Sequence, residues 1–237
     1  MENDKKPHVV ISTGAGMSAE SGITTFRDAG GLWEQYPVMQ VASADGFRAD
    51  PALVHRFYNA RRHDLVKAAP NAGHLGLADL EKDYNVDIIT QNVDNLHEQA
   101  GSGKVLHLHG ELMKVRAMDD DSLLFTLPDD NNGSLDTTPD TVIRGHRVRP
   151  HIVFFQEAVP NIEPAIDLVE QADAFVVIGT SLNVYPAAGL LNYVRRGVPV
   201  YYIDPNPAAV PAGVTVIRQP ATKGVETLRR LLAEKFK

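Results

Sequence analysis

His107 and His109 stand two residues apart at the end of a short apolar run, residues 105–109 reading VLHLH. Imidazole titrates near neutral pH, at about 6.5, so it is the side chain best suited to take a proton from a hydroxyl, help typically worth on the order of 100- to 10,000-fold. If the run is a strand, alternation turns both rings to one face, and the spacing does not say which is the base. Asn92 and Asp94 follow another apolar run and bring an amide and a carboxylate, although both types also serve ordinary caps and turns. Tyr58 and Arg61, three apart in a stretch of helical periodicity, share a face. A guanidinium fork there suits a carboxylate, with a solvated helix charge as the plain alternative.

A further candidate opens the chain. Residues 13–22, TGAGMSAESG, follow the first apolar run, and small residues there let the backbone turn tightly and approach a ligand. Amides at the start of a following helix would then face a diphosphate. Glycines after a strand also simply close turns. The acidic residue that ends the second strand of a dehydrogenase fingerprint is not evident, which argues against hydride chemistry. Phe26 and Arg27 would cap a cofactor, Phe by excluding water and Arg by pairing with phosphate, or else act as a core anchor and a surface cation.

These residues need a scaffold, and the hydrophobic pattern supplies one. Strand-like runs at residues 8–12, 86–90, 105–108, 174–178 and 198–203 alternate with helix-like stretches at 53–65, 74–80, 162–171, 187–194 and 222–236. The alternation predicts right-handed crossovers and a mainly parallel sheet, whose ligands sit beyond the carboxyl ends of the strands. Residues 31–62 read as a helical hairpin, and 113–150 as a polar, turn-rich insertion.

Composition narrows the chemistry. The 237 residues are 43% apolar with a formal charge of -7, enough for a substantial core and unsuited to nucleic acid or an anionic membrane. The absence of cysteine removes disulfides, thiolate catalysis and thiolate metal sites. With neither a leader nor a membrane-length apolar run, a cytoplasmic protein without membrane attachment is expected.

Residues 90–97 (TQNVDNLH), 106–110 (LHLHG) and 179–186 (GTSLNVYP) each follow a predicted strand. Together with the glycine-rich start and Ser21, Gly22 and Ile23, in this order and at these intervals, they resemble the sirtuin family of NAD-dependent protein lysine deacylases. The resemblance runs from about His8 to the last helix and fails only in the polar insertion. It implies an α/β fold, a Rossmann-like parallel sheet with helices on both faces plus a smaller inserted lobe. Residues 1–30, 70–112 and 151–237 would form the large part and 31–69 with 113–150 the lobe. NAD, consumed as co-substrate, would meet an acylated lysine of a protein or peptide in the cleft between them. Carried over by residue, Gly14, Ala15, Gly16 and Ser18 would cradle the diphosphate, with Phe26 and Arg27 closing over the ribose. Ile23, Gln91, Asn92 and Asp94 would hold the nicotinamide end. Gly179, Thr180, Ser181 and Val184, then Asp204, Asn206 and Ala221, would line the adenosine half. Asp204 and Asn206 depart from the commoner asparagine and glutamate. The implied reaction begins with attack of the acyl oxygen on the ribose carbon bearing nicotinamide and ends in O-acyl-ADP-ribose. The family's catalytic histidine precedes a glycine, as His109 precedes Gly110. His109 is thus the expected base, Asn92 its companion, His107 a deeper hydrogen-bonding residue and His97 structural.

In one sirtuin class an Ala, Tyr and Arg set, here Ala42, Tyr58 and Arg61, goes with removal of succinyl, malonyl or glutaryl groups. Acidic acyl groups, and acetyl as well, are therefore expected. Residues 150–157 (PHIVFFQE) resemble the strand that pairs with substrate peptide, so Val153, Phe154, Phe155 and Gln156 are expected to line the acyl-lysine tunnel. Gln156 replaces the usual glycine and adds a side chain where peptide would pass. That favours the alternative of an NAD-binding or NAD-cleaving protein such as an ADP-ribosyl transferase or sensor. Most sirtuins also hold the small lobe with zinc on two Cys-x-x-Cys pairs. Ala117 and Asp120 stand near the first pair, and Ile143, Arg144, Gly145 and His146 near the second. No structural zinc is expected, and Leu123, Leu124, Phe125, Leu127 and Val142 are predicted to cluster in its place. The acidic runs at 119–121 and 129–130 lack the pattern of a calcium loop. Oligomeric state and protein targets stay open.

Overall fold

The computed structural model describes residues 6–23 and 36–237, so Phe26 and Arg27 lie outside the described residues. Strands β1 (His8–Thr13), β2 (Asn85–Thr90), β3 (Val105–His107), β8 (Ala174–Ile178), β9 (Val200–Ile203) and β10 (Val214–Ile217) form one sheet in the order β10-β9-β8-β1-β2-β3. All neighbours pair in parallel. Period-two alternation splits the buried side chains between two layers. Val9, Ile11, Val176 and Ile178 pack with Leu77 and Leu80 of the Ala72–Leu80 helix and Leu228 and Leu232 of the Ala221–Lys235 helix. Val10, Phe175 and Val177 pack with Ala165 and Val169 of the Ile162–Glu170 helix and with Leu190.

The predicted strands and helices of this part are present, with three differences. Residues 187–193 form a 3-10 helix, Ala187–Tyr193. Strand β10 was not anticipated, since VTVI is short and follows a proline-containing loop. The run predicted through Leu108 ends its ladder at His107, so His109 is not on a strand. Its neighbour Gly110 has φ 84, and a Cβ there would lie 2.0 Å from the His151 oxygen. The chain leaves the first sheet at that point and enters the second.

That second sheet is built from the polar insertion and its flanks. Strands β4 (Gly110–Ala117), β5 (Leu124–Thr126), β6 (Val142–Ile143) and β7 (His146–Ile152) run antiparallel in the order β5-β4-β7-β6. Its core is Val115, Ala117, Phe125, Leu127, Ile143 and Val148. The predicted cluster is therefore corrected. Phe125 and Leu127 are in it, whereas Leu123, Leu124 and Val142 are exposed. Alternation is the reason, because Phe125 and Ile143 face inward and put Leu124 and Val142 outward. Ala117 and Ile143 are both in this core.

Against β4 and β7 of the second sheet packs the Pro51–Leu65 helix, started by Pro51 and capped by Asp50, whose Oδ1 accepts from Leu53 N at 2.8 Å. Its Val54, Phe57, Tyr58 and Leu65 pack with Leu96, Leu112, Ile152 and Phe154. Arg62, fully buried, donates to Leu112 O at 2.8 Å and to Asn59 Oδ1 at 2.7 Å. Burial pushes its guanidinium down to about 10, still charged at neutral pH. Among the described residues, no helix is long and apolar enough to cross a membrane.

Candidate active site

Because the strands of the large sheet are parallel, their carboxyl ends share one edge, and the segments after β1, β2, β3, β8 and β9 meet there. The glycine-rich loop after β1 is pinned to the loop after β8. Gly14 N donates to Ile178 O at 2.9 Å and Gly16 N to Gly179 O at 2.8 Å. Gly179 has φ +62, and a Cβ on it would lie 2.5 Å from Met17 N. The two backbones touch so closely that neither Gly16 nor Gly179 has room for a side chain. The expected helix after this loop is replaced, within the described residues, by 3-10 turns Ala15–Met17 and Ala19–Ser21. The reason is local: Met17, Ser18, Ser21 and Gly22 close i→i+3 bonds, and Gly22 at φ 83 ends the second turn. Asn71, which caps the Ala72–Leu80 helix, donates to Met17 O at 2.9 Å and Ser21 Oγ at 3.1 Å, holding those turns in place.

Behind this loop runs a buried polar array. Asn92 spends both amide hydrogens, on Gly14 O at 3.0 Å and on Ser18 Oγ at 3.1 Å. Ser18 passes its own hydrogen to Asp94 Oδ2 at 2.9 Å. Asp94 Oδ1 accepts from Leu96 N at 3.2 Å. Burial pushes the Asp94 carboxyl up, while the Leu96 amide and Ser18 hydroxyl support its charged form. Thr13 Oγ1 lies 2.9 Å from Thr90 Oγ1 and 3.1 Å from His97 Nε2. His97 and His74 meet edge to face at 4.8 Å between ring centres. Burial drives both down, His74 to about 4 and His97 to about 3, and each ring's neighbours do not reverse it. Thr13, His74 and Thr90 were not singled out from sequence. A His three residues after an Asn N-cap was the visible signal for His74, whose Nδ1 completes a capping box.

The two histidines that spacing left equivalent are made different by their acceptors. His109, half-buried, has Nδ1 3.0 Å from Gln91 O. A carbonyl only accepts, so Nδ1 carries the hydrogen and Nε2 is the basic nitrogen. Burial lowers the ring's pKa, partly countered by that bond. His107, buried, has Nδ1 3.0 Å from Asn92 O and Nε2 2.7 Å from Glu98 Oε1. Burial works against its charge, and Glu98 outweighs it, holding the ring above its ordinary value.

The adenosine-side expectations fall on one stretch of the same edge. Thr180 is buried, its oxygen taking the Tyr202 hydroxyl at 2.7 Å, while Gln91 Nε2 lies 3.4 Å from its Oγ1. Leu182 N donates to Thr180 Oγ1 at 3.2 Å, turning the chain past the half-buried Ser181 toward the exposed Val184. Asp204 Oδ1 accepts from Asn206 N at 2.7 Å, so that carboxylate shapes its own turn. Ala221 is buried at the start of the last helix, where Thr222 binds Glu20 at 2.9 Å.

On the other side of His109, the expected acyl-pocket residues converge in part. Tyr58 is 1% exposed and packs against Phe154 at 6.0 Å between ring centres. Its phenol is pushed up to about 12 by burial. Arg61, half-buried, lies over the Tyr58 ring at 5.7 Å and within electrostatic reach of Asp94. Ala42 is buried and accepts from Phe155 N at 2.8 Å, with Ala44 N donating to Phe155 O at 3.1 Å. The expected strand through 157 is corrected, because β7 ends at Ile152. Val153 N donates to His109 O at 3.0 Å, and Phe154 N is taken by Glu157 Oε2 at 2.9 Å, which curls the chain into a turn. At Gln156 that turn reaches φ 77, a conformation that favours glycine. Its side chain folds back onto Asp45, with Nε2 donating to Oδ2 at 2.7 Å. Ile23 is part of the packing around Tyr58 and Phe154.

Known proteins share this fold. Residues 14–186 match the model described as the Sir2 family. An NAD-dependent protein deacylase of Bacteroides thetaiotaomicron is 55% identical over 231 residues, 95% of this chain and 97% of that one. A Sir2 homolog solved as an NAD complex superposes with a TM-score of 0.83 at 35% identity, over 98% of this chain and 91% of that one. A Sir2 protein solved with a deacetylated p53 peptide and 3'-O-acetyl ADP-ribose superposes at 0.77 with 30% identity, over 98% and 94% of the two chains.

Proposed function

Since the chain belongs to the Sir2 family, we propose that it is an NAD-dependent protein lysine deacylase, acting on acidic acyl groups and on acetyl, with His109 as base and Asn92 beside it. The observation that carries the reading is the contact of His109 Nδ1 with the Gln91 carbonyl at 3.0 Å. With Nδ1–H fixed on the Gln91 carbonyl, Nε2 is available to accept a proton from a ribose hydroxyl. The donor set fits a dinucleotide: tightly turned glycine backbone at Gly14 and Gly16, and amides and a carboxyl at Gln91, Asn92 and Asp94. Bound there, NAD supplies the ribose carbon whose bond to nicotinamide breaks. Asn92, both of whose amide hydrogens are committed, offers Oδ1 to a hydroxyl or a water. Asp94 is suited to the carboxamide of nicotinamide. Gly179, Thr180, Ser181, Val184, Asp204, Asn206 and Ala221 would take the adenosine half, and Phe26 and Arg27 the ribose.

Acidic-acyl preference rests on Arg61 beside Tyr58, a guanidinium held partly out of water where a carboxylate interacts more strongly than at the surface. For the peptide, the Gln156–Asp45 bond supports access, since it draws the side chain onto Asp45 and weakens the case for a protein that only binds or cleaves NAD. We read the small lobe as held by its apolar core in place of zinc. The chain has no thiol, and Ala117 and Ile143 are in that core.

The test is nicotinamide release from NAD with matched succinyl-lysine, acetyl-lysine and unmodified peptides. Release that requires an acylated peptide, fastest with succinyl, is the expected result. Release indifferent to peptide would replace this reading with NAD cleavage.

A further inference from the structure

His107 has no part in the roles above, yet its ring is hydrogen-bonded to the backbone carbonyl of Asn92. Nδ1 is 3.0 Å from the Asn92 carbonyl and Nε2 is 2.7 Å from Glu98 Oε1. Both oxygens only accept when Glu98 is ionised, so both ring nitrogens carry hydrogens and the ring is an imidazolium. The other end of His107 is tied as well, its carbonyl taking Asn161 Nδ2 at 2.7 Å. The ring is 7% exposed and the Glu98 side chain 39%, so the carboxylate reaches water while the cation does not.

We propose that His107, as an imidazolium bridging Glu98 and the Asn92 carbonyl, is a positioning residue that keeps Asn92 on Gly14 and Ser18, so that cleavage of the nicotinamide bond depends on the charge of this pair. For the reaction it names, the inference rests on the deacylase reading. The charged and titratable groups facing the ring are Glu98 and His97 from the Leu96–Gln99 helix, Glu111 from β4 and Asp94 from the loop after β2, with Lys114 acting on Glu98. Glu98, Glu111 and Asp94 favour the cation, and His97 is neutral at working pH. Held above its ordinary value, His107 stays charged through about 6.5 and loses its proton as pH rises further. Positioning of Asn92 therefore fails on the alkaline side.

Glu98→Gln keeps an acceptor for Nε2 and removes the charge. The alkaline limb of kcat for nicotinamide release should move to lower pH by about one unit, while KM for NAD and for acyl peptide at pH 6 keep their wild-type values. A profile superimposable on wild type overturns the proposal. A second measurement needs neither turnover nor a variant: nitrogen NMR of the histidine-labelled full chain, followed against pH. A His107 ring protonated on both nitrogens at pH 6, with Asn92 side-chain amide resonances shifting at the same midpoint as the ring, supports it. A neutral His107 at that pH, or Asn92 resonances indifferent to the titration, overturns it, whether or not Glu98→Gln folds and whether or not the protein deacylates.

Discussion

At the scale of single residues, the site works by contrast between like side chains. His109 meets one acceptor and stays neutral, while His107 meets two and is charged. Environments that push similar groups apart are a general way of assigning acid and base roles. Two predictions belong here. His109→Ala should lower deacylation on the order of 100- to 10,000-fold with NAD affinity little changed, measured by calorimetry, and undiminished turnover would remove His109 from the mechanism. The sign of the pH effect on the acid side follows from its lowered pKa: the base is active once deprotonated, so the wild-type rate should rise with pH through a value below about 6.5, ahead of the alkaline fall tied to His107. Arg61→Met should cost desuccinylation much more than deacetylation, because only the succinyl group presents a carboxylate to the guanidinium. Equal losses would speak against that contact. The residue types and their order were legible in the sequence. The charge of each histidine was not, since it depends on Gln91, Asn92 and Glu98 oxygens brought in by tertiary contact.

At the scale of elements, the parallel ladder is what gathers Gly14, Gln91 and Gly179 on one edge, and it was legible because buried parallel strands read as continuous apolar runs. Less legible were the 3-10 turns after β1, whose i→i+3 bonds leave no long-range period, and the antiparallel lobe, whose β5 and β6 are very short and carry apolar Leu124 and Val142 on the exposed face, which hides the alternation. The contact between the loops after β1 and β8 makes a test of the first of these. Gly179→Ala puts a methyl against Gly16 and Met17 at φ +62. It should destabilise the fold by about 1–3 kcal/mol in denaturant titration and weaken NAD binding by roughly ten-fold or more. Wild-type affinity in a fully folded Gly179→Ala protein would show that the loop contact does not shape the dinucleotide site.

For the whole molecule, the same burial that orders the site stores several neutral histidines. His55 and His74 are lowered to about 4 and His97 to about 3, burial being the first cause in each. Their native values lie below the unfolded one, so the unfolded chain binds more protons between about 6.5 and 4 and stability falls as pH falls through that window. The slope reaches about 1.4 kcal/mol per pH unit for each such group. His107 has the opposite sign, its contribution present below about 6.5 and lost as pH rises through its raised value. Denaturant midpoints should accordingly drop from pH 6.5 to 4.5, and a flat profile would mean that these rings are hydrated. The sequence by itself determined the family pattern, the parallel sheet and the set of polar residues at its edge, because each is written in residue type and local period. Only the tertiary structure decided which ring nitrogens are protonated, which apolar residues close the small lobe and where Gln156 turns its side chain. Those outcomes depend on partners 9 to 111 residues away in the chain, beyond the reach of any local pattern.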